Sequence, residues 1–329
     1  MSGLRSATRW KAKQINLKEV RSGVTDRSFL LIKGIFMAER FHYGGQAVIE
    51  GVMMRGRKTM VTAVRRPSGG LAIDTEPLPG IYTGWMRRVP LIRGVIVLIE
   101  ALVLGIKTLL YSANVSLEEE KTEISGGLVW AMVAVSLAFA VALFFMAPLF
   151  LTRLLDPYIG SSLVFNLIEG LFRLAIFIVY LKLIALVPEI KRIFAYHGAE
   201  HKAVNAYEDG VPLEVEAARG YNTAHVRCGT SFLFFVLIIA IIVFVLVGRP
   251  SFWLMVLSRI ILIPVIAALG YEVIYFGANH AKNGLVRAVL APGLWLQALT
   301  TREPDDSQLE VALSALRKVV EIEQLKEAA

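Results

Sequence analysis

The stretch Pro90-Leu91-Ile92-Arg93-Gly94-Val95-Ile96-Val97-Leu98-Ile99-Glu100-Ala101-Leu102-Val103-Leu104-Gly105-Ile106-Lys107-Thr108-Leu109-Leu110-Tyr111 decides how the chain is laid out. It is apolar and long enough to cross a bilayer as a helix. Arg93, Glu100 and Lys107 nevertheless recur every seven residues, so they line one stripe of that helix. Three charges at membrane depth are expensive unless paired or hydrated. The stretch is therefore read as an amphipathic helix at the membrane interface. Had it crossed, everything after it would change sides.

The rest of the chain makes a membrane setting the natural one. Of 329 residues, 56% are hydrophobic and 19% charged, with a mean hydropathy of +0.59, outside the range of ordinary soluble proteins. Four segments are read as spans: Gly127 to Leu151, Ser162 to Val187, Ser231 to Val247 and Phe252 to Leu269. In the second, Glu169 and Arg173 stand at i and i+4 as an internal pair. The formal charge of +8 is lopsided. With four spans, the N-terminal region, segment 188–230 and the C-terminal region share one side and nearly all the Lys and Arg. The other side holds only Arg153 and Arg249. The shared side should be cytoplasmic. No basic stripe interleaved with aromatics appears, so nucleic acid is not an expected partner. Membrane lipid is, together with a membrane-protein or peptide partner.

The sequence thus predicts a mainly α membrane protein with about four transmembrane helices, an amphipathic interfacial helix, a small N-terminal β-hairpin region and a cytoplasmic metal-site segment. Residues 1–40 form a basic tail, with nine Lys or Arg against three acids and a short amphipathic stretch near Phe29 to Met37. Residues 41–89 hold a glycine-rich segment, Tyr43 to Gly56, in which the glycines argue for tightly turning or closely approached backbone. Two strands follow, Lys58 to Arg66 and Gly70 to Glu76, turned by Pro67-Ser68-Gly69. Residues 90–125 are the amphipathic helix and an acidic loop, and 126–187 the first two spans. Segment 188–230 is the polar one, 231–270 the third and fourth spans, and 271–329 a cytoplasmic region whose stretch Asp305 to Glu327 has the periodicity of an amphipathic helix.

The chemistry concentrates in segment 188–230. His197-Gly198-Ala199-Glu200-His201 places two imidazoles four apart on a helix that Pro188 starts and Gly210 stops, so both rings leave one face about 5–6 Å apart. His225 and the only cysteine, Cys228, stand three apart downstream. Three of the five histidines and the single cysteine within one short window make the inventory of a zinc-type site. The blander reading is a polar helix with a buried thiol. It must treat the clustering as coincidence.

Three motifs in order, Gly44-Gly45-Gln46-Ala47-Val48-Ile49-Glu50-Gly51-Val52-Met53-Met54-Arg55-Gly56, His197-Gly198-Ala199-Glu200-His201-Lys202 and Arg227-Cys228-Gly229-Thr230-Ser231-Phe232, resemble the YqhQ family of bacterial membrane proteins over roughly residues 40 to 305. That family is of unknown function and is described as a predicted metal-dependent enzyme. The resemblance implies a membrane location and a metal but no substrate. His-x-x-Glu-His also resembles the inverted zincin pattern. Carried over, that likeness makes His197 and His201 ligands and Glu200 the general base. Those peptidases take a third ligand from a downstream Glu, for which Glu272 is the positional candidate.

Two arrangements stay open. His197, His201, His225 and Cys228 can close a four-ligand structural site, or three protein ligands can leave a position for water that Glu200 deprotonates. The first suits a membrane scaffold or biogenesis factor, the second a membrane-embedded hydrolase with a cytoplasm-facing site and a divalent cation, by ligand type zinc. Glu50 and Arg55 are candidates for supporting contacts, against a reading as surface charges beside a turn. The lopsided loop charge generates a test: single-cysteine labelling of intact cells should find position 214 cytoplasmic and position 249 external. Labelling of 214 from outside would remove the four-span arrangement.

Overall fold

Strand β3 (Thr59–Arg65) is buried along almost its whole length, which requires cover on both faces. The computed structural model, which describes residues 41–118, 126–280 and 283–328, supplies that cover with two helices. Strands β1 (Gly44–Val48), β2 (Gly51–Arg55), β3 and β4 (Leu71–Pro77) form one antiparallel sheet in sequential order. The hairpin read from the sequence is its second half, turned at Pro67–Gly69 as expected. The glycine-rich segment corrects that reading. It is itself a hairpin, β1 and β2, because glycine lets the backbone come close: a Cβ at Gly45 would lie 2.3 Å from the Met53 carbonyl.

One sheet face packs on α1 (Ile92–Ser116): Met53 and Met60 meet Ile96 and Leu104, while Val48, Val64 and Ala72 meet Val115. The other is covered by α10 (Asp306–Ala328), the amphipathic tail helix. Glu323 accepts from the Lys58 amide at 2.9 Å, and Arg65 pairs with Glu310 at 2.7 Å. The charged stripe of α1 is satisfied by protein throughout. Glu100 accepts from Arg55 at 2.9 Å and from Arg87, Arg93 pairs with Glu272, and Lys107 pairs with Glu76. Arg55 is therefore a buttress of α1 and not a surface charge. The opposite side of α1 exposes Ile99, Leu102, Val103 and Leu109.

The apolar helices follow. α2 (Gly126–Val141) passes through one π turn, Ala142–Met146, into α3 (Ala147–Leu154). The Phe144 carbonyl in that turn accepts from Arg173 Nε at 3.0 Å. α4 (Ser162–Ile184) and α5 (Pro188–Asp209) meet at a 101° bend, so the second apolar segment stops three residues earlier than read. α6 (Gly229–Val247) begins directly after Cys228. α7 (Phe252–Ile261) and α8 (Ile263–Asn279) are bent by 47° beside Pro264, and α8 runs ten residues past the expected Leu269. α9 (Gly284–Thr300) is a shorter apolar helix that the sequence reading passed over. Among the described residues, three helices are long and apolar enough to cross a membrane, α1 and the α2–α3 stretch among them, or five if each bent pair counts as one. The N-terminal tail with its stretch 29–37, and most of the acidic loop, lie outside the described residues.

The expected Glu169–Arg173 pair is present at 2.5 Å, and the fold adds what spacing could not. Arg259 on α7 reaches the same carboxylate at 2.5 Å and Asn166 at 3.0 Å. All four side chains are buried.

The α1 stripe yields a test. Glu100→Gln removes the charge that two guanidinium groups share and leaves Arg55 half-enclosed without its partner. A stability loss of about 3 kcal/mol is expected in chemical unfolding of the detergent-solubilised chain. A loss under ~0.5 kcal/mol would mean the pairs are solvated and α1 is held by its apolar contacts alone.

Candidate metal centre

The α5 helix carries His197 and His201 on the face that meets β1, the N-terminus of α6 and the C-terminal end of α9. Gly198, between them, is what admits α9. A Cβ there would lie 2.1 Å from the Arg302 carbonyl, and the Arg302 amide donates to Phe194 O at 2.9 Å. The chain after α9 thus crosses α5 at backbone contact. That crossing brings the Thr300 carbonyl within 2.9 Å of His197 Nδ1.

His201 is anchored in the same manner, its Nδ1 2.5 Å from the Thr223 carbonyl. A carbonyl only accepts, so Nδ1 is the donor in each of these bonds, and in the neutral ring it is Nε2 that carries the lone pair. This is how proteins orient histidine ligands. Both lone pairs point into a cavity of about 40 Å³ lined by Gly44, Gly45, Glu200, His225, Arg227 and Cys228 as well as the two rings. Cys228 Sγ lies 3.2 Å from His197 Nε2, and one ligand atom from each of His197, His201 and Cys228 lies within 4.8 Å of the others. Tetrahedral zinc with ordinary bond lengths separates its donors by about 3.3–3.6 Å, close to the 3.2 Å between His197 Nε2 and Cys228 Sγ, and the wider separations in the set would have to close around such an ion. Cys228 is also the N-cap of α6, its sulfur accepting from the Thr230 amide at 3.4 Å.

Glu200 is buried beside the rings, with Oε2 3.4 Å from His201 Nε2. It sits against Gly45, where a Cβ would come within 3.0 Å of its Cγ. The glycine-rich motif and the histidine motif are therefore two walls of one cavity.

Two expected ligands are placed elsewhere. Glu272 stands on α8 with both oxygens on Arg93 and the Leu91 amide, because α8 packs on α1 and not on α5. His225 lines the cavity with its ring centre 5.7 Å from that of His201, but it is not among the three converging ligands. Its buried Nε2 lies 3.5 Å from Glu208, which also pairs with Arg227. Burial opposes ionisation of Glu208, but the His225 ring and then the Arg227 charge outweigh it and hold the carboxyl at about 2.

Sequence reasoning missed Gln297. Fully buried on α9, it accepts from the His225 amide at 2.9 Å and donates to the His225 carbonyl at 2.8 Å and to Ser231 at 2.7 Å. It holds the loop before Cys228 as a strand partner would. Nothing in its spacing marks it, and the carbonyls of Thr223 and Thr300 carry no signal in sequence at all. Glu50, at the β1–β2 turn with φ +52°, is gripped by Arg192 at 2.7 Å and by the Tyr196 hydroxyl at 3.2 Å. Burial, then that carboxylate, pushes the Tyr196 phenol well above its ordinary value, so it remains a donor. The pair pins the sheet to α5.

The crossing at Gly198 can be tested without reference to any ligand. Gly198→Ala should cost about 1–3 kcal/mol in unfolding, because the obstructing atom is backbone and cannot rotate away. An unchanged midpoint would show that α9 and α5 are not in contact at that point.

The comparisons with known proteins agree on kinship and are silent on chemistry. Residues 89–322 match a family described as "Protein of unknown function (DUF1385)". The "Uncharacterized protein YqhQ" of Bacillus subtilis (strain 168) is 36% identical over 301 residues, covering 87% of this chain and 94% of that one. No solved structure matches the chain. A family match over most of the length, with a relative so similar from end to end, means that the protein belongs to the YqhQ family of uncharacterized proteins.

Proposed function

We propose that this protein is a membrane-embedded, metal-dependent hydrolase whose site opens to the cytoplasm, with His197, His201 and Cys228 holding a divalent cation, by ligand type zinc, and Glu200 acting as general base. One observation carries the reading: both imidazoles have their Nδ1 tied to main-chain carbonyls, so their Nε2 lone pairs converge with the Cys228 sulfur beside a buried carboxylate. A cation there supplies Lewis acidity and lowers the pKa of water towards about 7. Glu200 Oε2 is the atom that would take the proton, and the small polar cavity limits how much other water reaches it. The backbone of Gly44 and Gly45 walls the cavity where a larger residue would close it.

The scaffold reading with a closed structural site needs a fourth protein ligand. The arrangement weighs against it, since His225 faces Glu208 and Glu272 is engaged by Arg93. Three converging protein donors leave a position open, as catalytic sites do.

The four-span topology is part of the same proposal, with α2–α3, α4, α6 and α7–α8 as spans. α1 meets the length and composition of a fifth, but the sheet packs along it from Ile96 to Val115. An open sheet edge in hydrocarbon would leave its backbone groups unpaired. We therefore keep α1 at the interface, with the sheet on the aqueous side and Ile99, Leu102 and Val103 towards lipid.

The roles separate by substitution. Metal analysis of the purified chain should find about one equivalent of zinc, lost in His201→Ala and Cys228→Ala. Glu200→Gln should keep metal and fold but fail to complement a strain that depends on the protein. Complementation by Glu200→Gln at normal abundance would overturn the hydrolase mechanism, and loss of metal in that variant would make Glu200 a ligand.

A further inference from the structure

On the far side of the His225–Cys228 loop lies a second, larger recess. It is a groove of about 440 Å³ walled by Val226 of that loop and by Arg287, Ala288, Leu290, Ala291 and Leu294 of α9. This is within the ordinary range of ligand pockets, about 300–1,000 Å³. Its polar inventory is short. The Arg287 side chain is exposed, with no ion pair or hydrogen bond among the described residues. The other lining side chains are apolar, and the same helix presents Leu285, Val289 and Trp295 outward at 77%, 54% and 76% exposure.

We propose that this groove binds an anionic phospholipid, with phosphate on Arg287 and acyl chain along Leu290 and Leu294. The argument is complementarity. One cation and a long apolar wall match a charged head followed by a tail. A peptide would bring an amide every residue and find nothing to pair it with. Exposed Leu285, Val289 and Trp295 need an apolar medium beside the groove mouth, which a bilayer surface provides. The site is separate from the metal centre and does not rest on the hydrolase reading. The occupant would touch Val226, between two residues that line the metal cavity, so the loop joins the two sites.

The test uses the full chain in detergent, titrated with phosphatidylglycerol and with phosphatidylcholine of the same acyl composition and read by native mass spectrometry. Wild type should hold phosphatidylglycerol about fivefold more tightly, the worth of one basic side chain at an anionic surface. Arg287→Gln should erase that preference and Arg287→Lys should retain it. Ala288→Trp, filling the groove from an exposed position, should remove tight binding of either lipid. Equal affinity for both lipids in wild type, a preference that survives Arg287→Gln, or binding untouched by Ala288→Trp would overturn the proposal, as would a co-purified peptide cross-linked at position 288. Metal content unchanged in all three variants would separate this result from any failure of the hydrolase reading.

Discussion

The contact on which the polar half of the molecule depends is the crossing of the chain after α9 over α5 at Gly198. Without a Cβ there, the Arg302 carbonyl reaches the helix surface, Arg302 N pairs with Phe194 O, and Thr300 O arrives at His197 Nδ1. One missing methyl thus sets a ring tautomer. The second ring is set by the loop that α9 also governs, since Gln297 clamps the His225 main chain while Thr223, in the same loop, accepts from His201. The two neighbouring histidines are thus oriented by main-chain carbonyls that stand 103 and 22 positions away in sequence.

The two ends of the apolar helices treat charge differently. Around Glu169, the carboxylate is saturated by Arg173 and Arg259 with Asn166 completing the net, and aromatic rings of Phe145 and Phe244 cover the guanidinium groups. Such a cluster locks helices together, and breaking any member leaves an uncompensated charge. At the α5 end, donors converge and are left with unused lone pairs. A saturated network builds structure, and a convergent unsaturated one is available to a ligand.

The sheet explains how α1 can carry three charges. Its stripe is paired residue by residue with Arg55, Arg87, Glu76 and Glu272, so the helix is polar only towards protein. The same sheet supplies Gly44 and Gly45 to the cavity between the histidines and, through Glu50, grips Arg192 and Tyr196 of the helix that bears them. Sheet, α1 and cavity are therefore one construction.

Much of this was legible in the residue pattern, because hydropathy and spacing are local properties. The apolar runs at Gly127, Ser162 and Ser231, the tail helix after Asp305, the β3–β4 turn and the i, i+4 histidines all follow from periods that each helix or strand must obey. Spacing also placed Glu169 opposite Arg173. It could not place Arg259 in that pair, find Gln297 behind His225, or show that Glu272 belongs to Arg93, because each of these joins segments far apart in sequence. Pro188 marked where α5 starts but not the 101° angle at which it leaves α4, and the break beside Pro264 was hidden, since an apolar run reads the same whether straight or folded. Sequence by itself determined which residues could bind a metal. Tertiary structure decided which of them meet, because convergence of lone pairs is set by distant backbone carbonyls and by a glycine that lets one chain lie on another.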